Sequence, residues 1–265
     1  MTIIALLYSE YFCCLKNLSL NKWLNCKTKA RATTHVAGPL STIKNQMKKT
    51  ILISIIFCFI IQNGFSQTPF EGVIIYKVET VLKYEDHVYN DYYSQKYGDT
   101  LKVYIAENGN QKREYSNTGN LGLDWTIYDQ GKNEEYAKWH SMDSVFYYSC
   151  SNLVTNLEEF EEGDEKIILG EDCKSIITKS FEPKGKETIT AKFYYSGNEY
   201  IIPNTYEEYK DGYLDRIYAK SNSHILRREL DLKYVYVIFE AIEIRSEKVN
   251  SDHFVVPDKI DLVKM

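Results

Sequence analysis

The side chains able to do chemistry are scattered along this chain. Four histidines, His87, His140, His224 and His253, fall in the body of the sequence. No two stand at a metal-ligand spacing, such as two histidines four apart on a helix. The chain contains no GxSxG elbow, phosphate loop, dinucleotide glycine signature or HExxH. The reading is therefore no catalytic residues, no metal and no cofactor, and a protein that is not an enzyme. Paired carboxylates for glycoside chemistry would come from distant positions, and so acid-rich a chain always brings some pair close. The densest acidic run is Glu158, Glu159, Glu161, Glu162, Asp164 and Glu165. It does not alternate oxygen ligands around a glycine turn as a calcium loop does, and it reads as a solvated face.

Two cysteines raise redox chemistry. Four of the six precede residue 67, leaving Cys150 and Cys173. In an oxidising compartment such a pair suggests a disulfide, with two buried free thiols as the alternative. Asp99-Thr100-Leu101 and Asp143-Ser144-Val145 match the Asp-Ser/Thr-aliphatic pattern of bacterial O-glycosylation, which makes Thr100 and Ser144 candidate modification sites. Tyrosine is abundant, 23 in all, and often adjacent, as in Tyr92-Tyr93, Tyr147-Tyr148 and Tyr194-Tyr195; Tyr97, Tyr206, Tyr209 and Tyr213 add to it. Adjacent strand residues point to opposite faces, so each pair would put one ring inward and one outward. Outward rings suit sugars or apolar ligands; the alternative is that they cover the sheet's edges and outer face.

The compartment follows from MKKTILISIIFCFIIQNGFSQ, Met47 to Gln67. Lys48 and Lys49 precede an apolar run, Ile51 to Ile61, and small residues Gly64 and Ser66 precede a cut between Ser66 and Gln67. That is the order of a secretory signal. The run is about half of the ~20 residues a membrane-spanning helix needs; the alternative is an anchor over 51–65, the only part that would touch a membrane. Residues 1–46 read as an upstream extension mis-called ahead of the true start, 47–66 as the signal, and 67–265 as a single β-rich envelope domain. Of 32 bases and 37 acids, 8 and 1 precede Gln67, so that domain carries a net charge of about −12. A surface so acidic repels nucleic acid.

The elements that must position these groups are strands. Gly72 to Leu82 alternates, with Ile74, Tyr76, Val78 and Leu82 on one face. Leu101 to Glu107 puts Leu101, Val103 and Ile105 inward, and Asn108-Gly109 marks a hairpin. Strands follow at 111–116, 123–128, 134–139, 145–151, 166–169, 174–181, 187–195, 213–219, 225–232 and 234–245, with a phase slip near Glu240 that predicts a bulge. Asn152 to Glu165 reads as a short helix ending near Gly163, and 203–212 as a polar connector. No strand–helix alternation appears, which excludes α/β folds and leaves an antiparallel sheet curling into a barrel, half-barrel or sandwich.

Four stretches, the signal ending FSQ, the start FEGVIIYKVET, the run Ile168-Leu169-Gly170-Glu171-Asp172-Cys173-Lys174 and the closing FVVPD, resemble small secreted Bacteroidetes proteins of the GLPGLI and related families. The GLPGLI string itself is replaced by TYEEYKDGYLDRIY. Such proteins are similar in fold to outer-membrane lipoprotein carriers, so the resemblance implies a mainly β fold, a curved antiparallel sheet or half-barrel with one or two short helices, around an apolar hollow. It implies an exported protein, periplasmic or outer-membrane-associated, of a Gram-negative bacterium. The expected function is non-enzymatic binding of a lipid or other apolar or extended ligand on the curved sheet. The alternative is an interaction protein that holds an envelope protein through a sheet face or edge.

Overall fold

The computed structural model describes residues 68–265 except 185, 198–199 and 204–205. The signal-like stretch and the proposed cut at Ser66–Gln67 lie outside the described residues. The fold is mainly β: one large open sheet of 13 strands with two short helices. The strands are β1 (Gly72–Leu82), β2 (Thr100–Ile105), β3 (Gln111–Ser116), β4 (Leu123–Asp129), β5 (Glu134–Trp139), β6 (Val145–Ser149), β7 (Asn156–Glu162), β8 (Lys166–Ile168), β9 (Glu171–Glu182), β10 (Glu187–Tyr195), β11 (Ile225–Asp231), β12 (Val235–Ser246) and β13 (Leu262–Lys264). The helices are α1 (Asn90–Lys96) and α2 (Leu214–Ser221).

The strand order is β13-β6-β5-β4-β3-β2-β1-β12-β11-β10-β9-β7, with β8 paired to β9. Two antiparallel meanders thus meet at the β1–β12 pair; only β13 joins its neighbour, β6, in parallel. Residues of β3–β6 and of β9–β11, far apart in this order, line one hollow. The sheet therefore bends until its halves face each other, as a half-barrel.

Alternation places Ile74, Tyr76 and Val78 inward beside Leu101, Val103 and Ile105, with Val235, Val237 and Phe239 on the neighbouring strand; all are buried in one cluster. Leu82, at the strand end, is exposed. The bulge lies two residues beyond the predicted slip. Ile75 pairs with Glu243 and Tyr76 with Ala241, so Ile242 is the extra residue and is 53% exposed. On the convex side, Phe254, Val256 and Ile260 of the C-terminal segment cover Val73, Tyr104, Ile127, Tyr136 and Val145.

Two expectations about helices are corrected. Asn152 to Glu165 holds strand β7 instead of a helix. The run NLEEFEE has good intrinsic helix formers, but β7 pairs with β9, and Lys179 Nζ donates to Glu159 at 2.8 Å. Tertiary pairing overrides propensity here, and glutamates on an edge strand also discourage further strand addition. Tyr213 to Ala219 is not a strand. Leu214, Ile217, Tyr218 and Ser221 recur at i, i+3, i+4 and i+7, the helical period, and α2 packs that stripe against the concave sheet face. Asn222, at φ 50°, ends α2 in the left-handed conformation. At β8–β9, Leu169 (φ 54°) and Gly170 (φ 85°) form a two-residue turn with both φ positive, the geometry that suits a twisted hairpin.

Candidate functional site

The concave wall changes character along the sheet. β1, β2 and β12 present aliphatic side chains and Phe239. The strands β3 to β6 present Gln111, Arg113, Tyr115, Thr126, Glu135 and Tyr148 instead, because these polar residues fall on the inward parity. The segment between β10 and β11 folds back over this wall. Expected as a polar connector, it inserts Tyr206 and Tyr209, each 2% exposed, and Tyr213. Tyr209 stacks on Tyr128 with ring centres 4.4 Å apart. These tyrosines are neither outward ligand platforms nor an outer coat; they plug part of the half-barrel's interior.

What the plug leaves open is a hollow of about 400 Å³ and, adjoining it, a recess of about 70 Å³. Arg113, Phe193, Leu214 and Arg228 border both. The hollow's wall is mixed: Tyr115, Ala137, Trp139, Ala191 and Leu230 stand beside Glu135, Tyr148, Asp211, Thr178 and Ser180. The recess is mixed as well: Leu101, Val103, Ile105, Phe193 and Phe239 border it beside Gln111 and His224.

Hydrogen bonds fix the polar groups. Arg113 donates through Nη1 to Glu135 Oε2 (3.1 Å) and through Nη2 to Gln111 Oε1 (3.0 Å). Gln111 Nε2 donates to the Tyr206 hydroxyl at 2.7 Å, which donates to the Gly109 carbonyl at 2.8 Å. The Tyr209 hydroxyl donates to Glu135 Oε2 at 2.6 Å, and that of Tyr148 to Asp211 Oδ2 at 3.2 Å. Burial opposes the charge on Arg113, but the Glu135 carboxylate and the surrounding tyrosines together outweigh it and the guanidinium stays ionised. Burial, then the nearby Glu135 charge, raises the Asp211 carboxyl above its ordinary range.

Two groups stand apart. The Arg228 guanidinium lies 4.5 Å over the Phe239 ring and has no carboxylate or other hydrogen-bond acceptor among the described residues. His224 is 3% exposed, and its Nε2 has no hydrogen-bond partner among them. Burial alone pushes its pKa down to about 3, so the ring is neutral near pH 7.

The residues marked in the sequence are dispersed. Cys150 and Cys173 are free, so the expected disulfide is not formed. Cys150 packs among Tyr128, Tyr206 and Tyr209, whereas Cys173 packs in the main cluster of the β1–β12 core. Thr100 opens β2 and Ser144 precedes β6; both are half-buried. His87 stacks on Tyr234, His253 on Tyr104, and His140 Nε2 lies 2.8 Å from Thr118 Oγ1. Adjacent tyrosines on strands do split between faces. Tyr148 enters the hollow while Tyr147 stacks on Tyr136, but Tyr194 and Tyr195 are both buried, each face having its own cover. Tyr92 and Tyr93 lie on α1, where this alternation does not apply.

Sequence reading missed Arg113, Glu135, Asp211, His224 and Arg228 as a constellation. A signal existed for one of them. In Leu226-Arg227-Arg228-Glu229-Leu230, Arg228 is in phase with both leucines, so an arginine occupies a core-facing position. No helix of the described residues is long and apolar enough to cross a membrane. No protein-family model matches the chain, and no curated protein matches it.

Proposed function

We propose that this chain is a non-enzymatic binding protein of the bacterial envelope that holds an extended, partly apolar ligand in its concave hollow. One observation carries the reading: the plug of buried tyrosines leaves about 400 Å³ unfilled, within the size range of small-ligand pockets. The mixed wall refines the expected ligand. A purely lipophilic molecule would leave the half-buried Arg228 guanidinium, which has no carboxylate partner among the described residues, against hydrocarbon, so an amphipathic one fits better. The basic, apolar and small-residue order of 47–66 supports export to the periplasm or outer membrane, as does the resemblance to secreted GLPGLI-related proteins.

Native mass spectrometry of the protein purified from its own envelope tests this. A small molecule that co-purifies, and that is lost when Ala137→Trp fills the hollow, supports the reading. A bare chain that binds no amphiphile counts against it.

A hydrolytic reading rests on the raised Asp211 carboxyl beside Glu135 in the same hollow. Turnover of nitrophenyl esters or glycosides that disappears in Asp211→Asn would replace binding with catalysis. A protein partner at a sheet edge fits less well, because the β7 edge carries Glu158, Glu159, Glu161 and Glu162.

A further inference from the structure

We propose that the recess between Arg228 and His224 binds the carboxylate end of a singly charged amphiphile whose apolar body lies in the adjoining hollow. The inference rests on the ligand-binding reading above and names the ligand's chemical class.

Charge comes first. Among the described residues bordering the recess, Arg113 and Arg228 are the only ones with a permanently charged side chain. Arg113 is already paired with Glu135 and bonded to Gln111. Arg228 is not: its face rests on Phe239, and no described residue offers its N–H groups an acceptor. One uncompensated guanidinium calls for one negative charge, and its planar fork matches a carboxylate. A phosphate dianion would bring surplus charge close to Glu135 and Asp211.

The second observation is independent of charge. His224, which borders the same recess, is buried, and its Nε2 has no partner among the described residues. Unpartnered buried polar atoms are rare and call for an explanation. As the Nε2–H tautomer, the neutral ring donates to the second carboxylate oxygen. The recess, about 70 Å³, admits a group of a few heavy atoms, since one water needs only ~10–15 Å³ on this measure. Its aliphatic walls suit the methylenes beside the carboxylate, and Leu214 and Phe193 lead them into the hollow.

Decanoate and decanol, titrated by calorimetry into the purified full chain, separate head from tail. Decanoate is expected to bind at least tenfold more tightly than decanol, and Arg228→Gln to abolish that preference while decanol affinity stays within twofold. Equal wild-type affinities, or a preference that survives Arg228→Gln, overturn the carboxylate site while leaving the hollow as the binding place. Failure of both compounds to bind overturns the hollow reading and the site with it. The wild-type comparison decides even if the variant does not fold.

Discussion

Tyr209→Phe should destabilise the domain by roughly 2 kcal/mol without changing its core. Tyr209 is a buried ring of the plug that borders the hollow, stacked at 4.4 Å on Tyr128, and its hydroxyl reaches Glu135 Oε2 at 2.6 Å. Phenylalanine keeps the ring, its stacking and its burial, and removes only that hydroxyl. A hydrogen bond to a charged group contributes about 1.5–3 kcal/mol. Glu135 retains Arg113 at 3.1 Å, so the carboxylate is not stranded and the effect stays in the lower part of that range. In urea, the unfolding midpoint should fall while the slope stays constant, because the surface exposed on unfolding is unchanged. For a domain near 200 residues the same loss lowers the melting temperature by about 4–8 °C. In a Glu135→Gln background the Tyr209→Phe effect should shrink, since the acceptor's charge is gone. A loss below about 0.5 kcal/mol, or one equally large in that background, would refute the claim that this bond anchors the plug.

Three further outcomes follow from the same geometry. His224 has a pKa near 3 when folded and about 6.5 when unfolded, so the unfolded chain takes up the proton first. Stability should fall as pH drops from about 6.5 towards 3 and be independent of this group above it. Chemical denaturation across pH 4–6 should show a shallower decline, by about 1 kcal/mol per pH unit, in His224→Phe; parallel curves would contradict the burial argument. Cys150 and Cys173 are buried thiols whose pKa values burial raises, that of Cys173 to about 11. Iodoacetamide should therefore label them only after denaturation, and a mass two hydrogens short that a reductant restores would mean that they are bridged after all. Gly98 has φ +63°, and a Cβ there would sit 1.9 Å from the Ser116 carbonyl oxygen, a backbone atom that cannot turn aside. Gly98→Ala should lower stability by at least about 2 kcal/mol, and an unchanged thermal midpoint would show that this turn relaxes freely.

The β-architecture was legible because its strands alternate. β1, β3, β5 and β10 begin and end at the bounds read in the sequence, and the inward residues of β1 and β2 are the ones found buried. The slip in β12 was legible too, though displaced. The apolar phase continues through Ala241, and only the β1 register reveals Ile242 as the extra residue. The helices were not. Leu214 to Ser221 can be read with a period of two or of 3.6, and what decides is the concave face against which Ile217 and Tyr218 pack. The run NLEEFEE reads helical until β9 supplies a pairing partner.

Composition and order of residues by themselves determined a β-rich domain of acidic composition, because these properties are local and additive. Only the tertiary structure decided the site. Arg113, Glu135, Asp211, His224 and Arg228 span more than a hundred positions, and nothing in their spacing links them. They converge because the two meanders join at β1–β12 and bend, bringing β3–β6 across from β9–β11. The disulfide expectation failed for the same reason: Cys150 and Cys173 are near in sequence but belong to different packed clusters, and proximity along the chain does not set proximity in space.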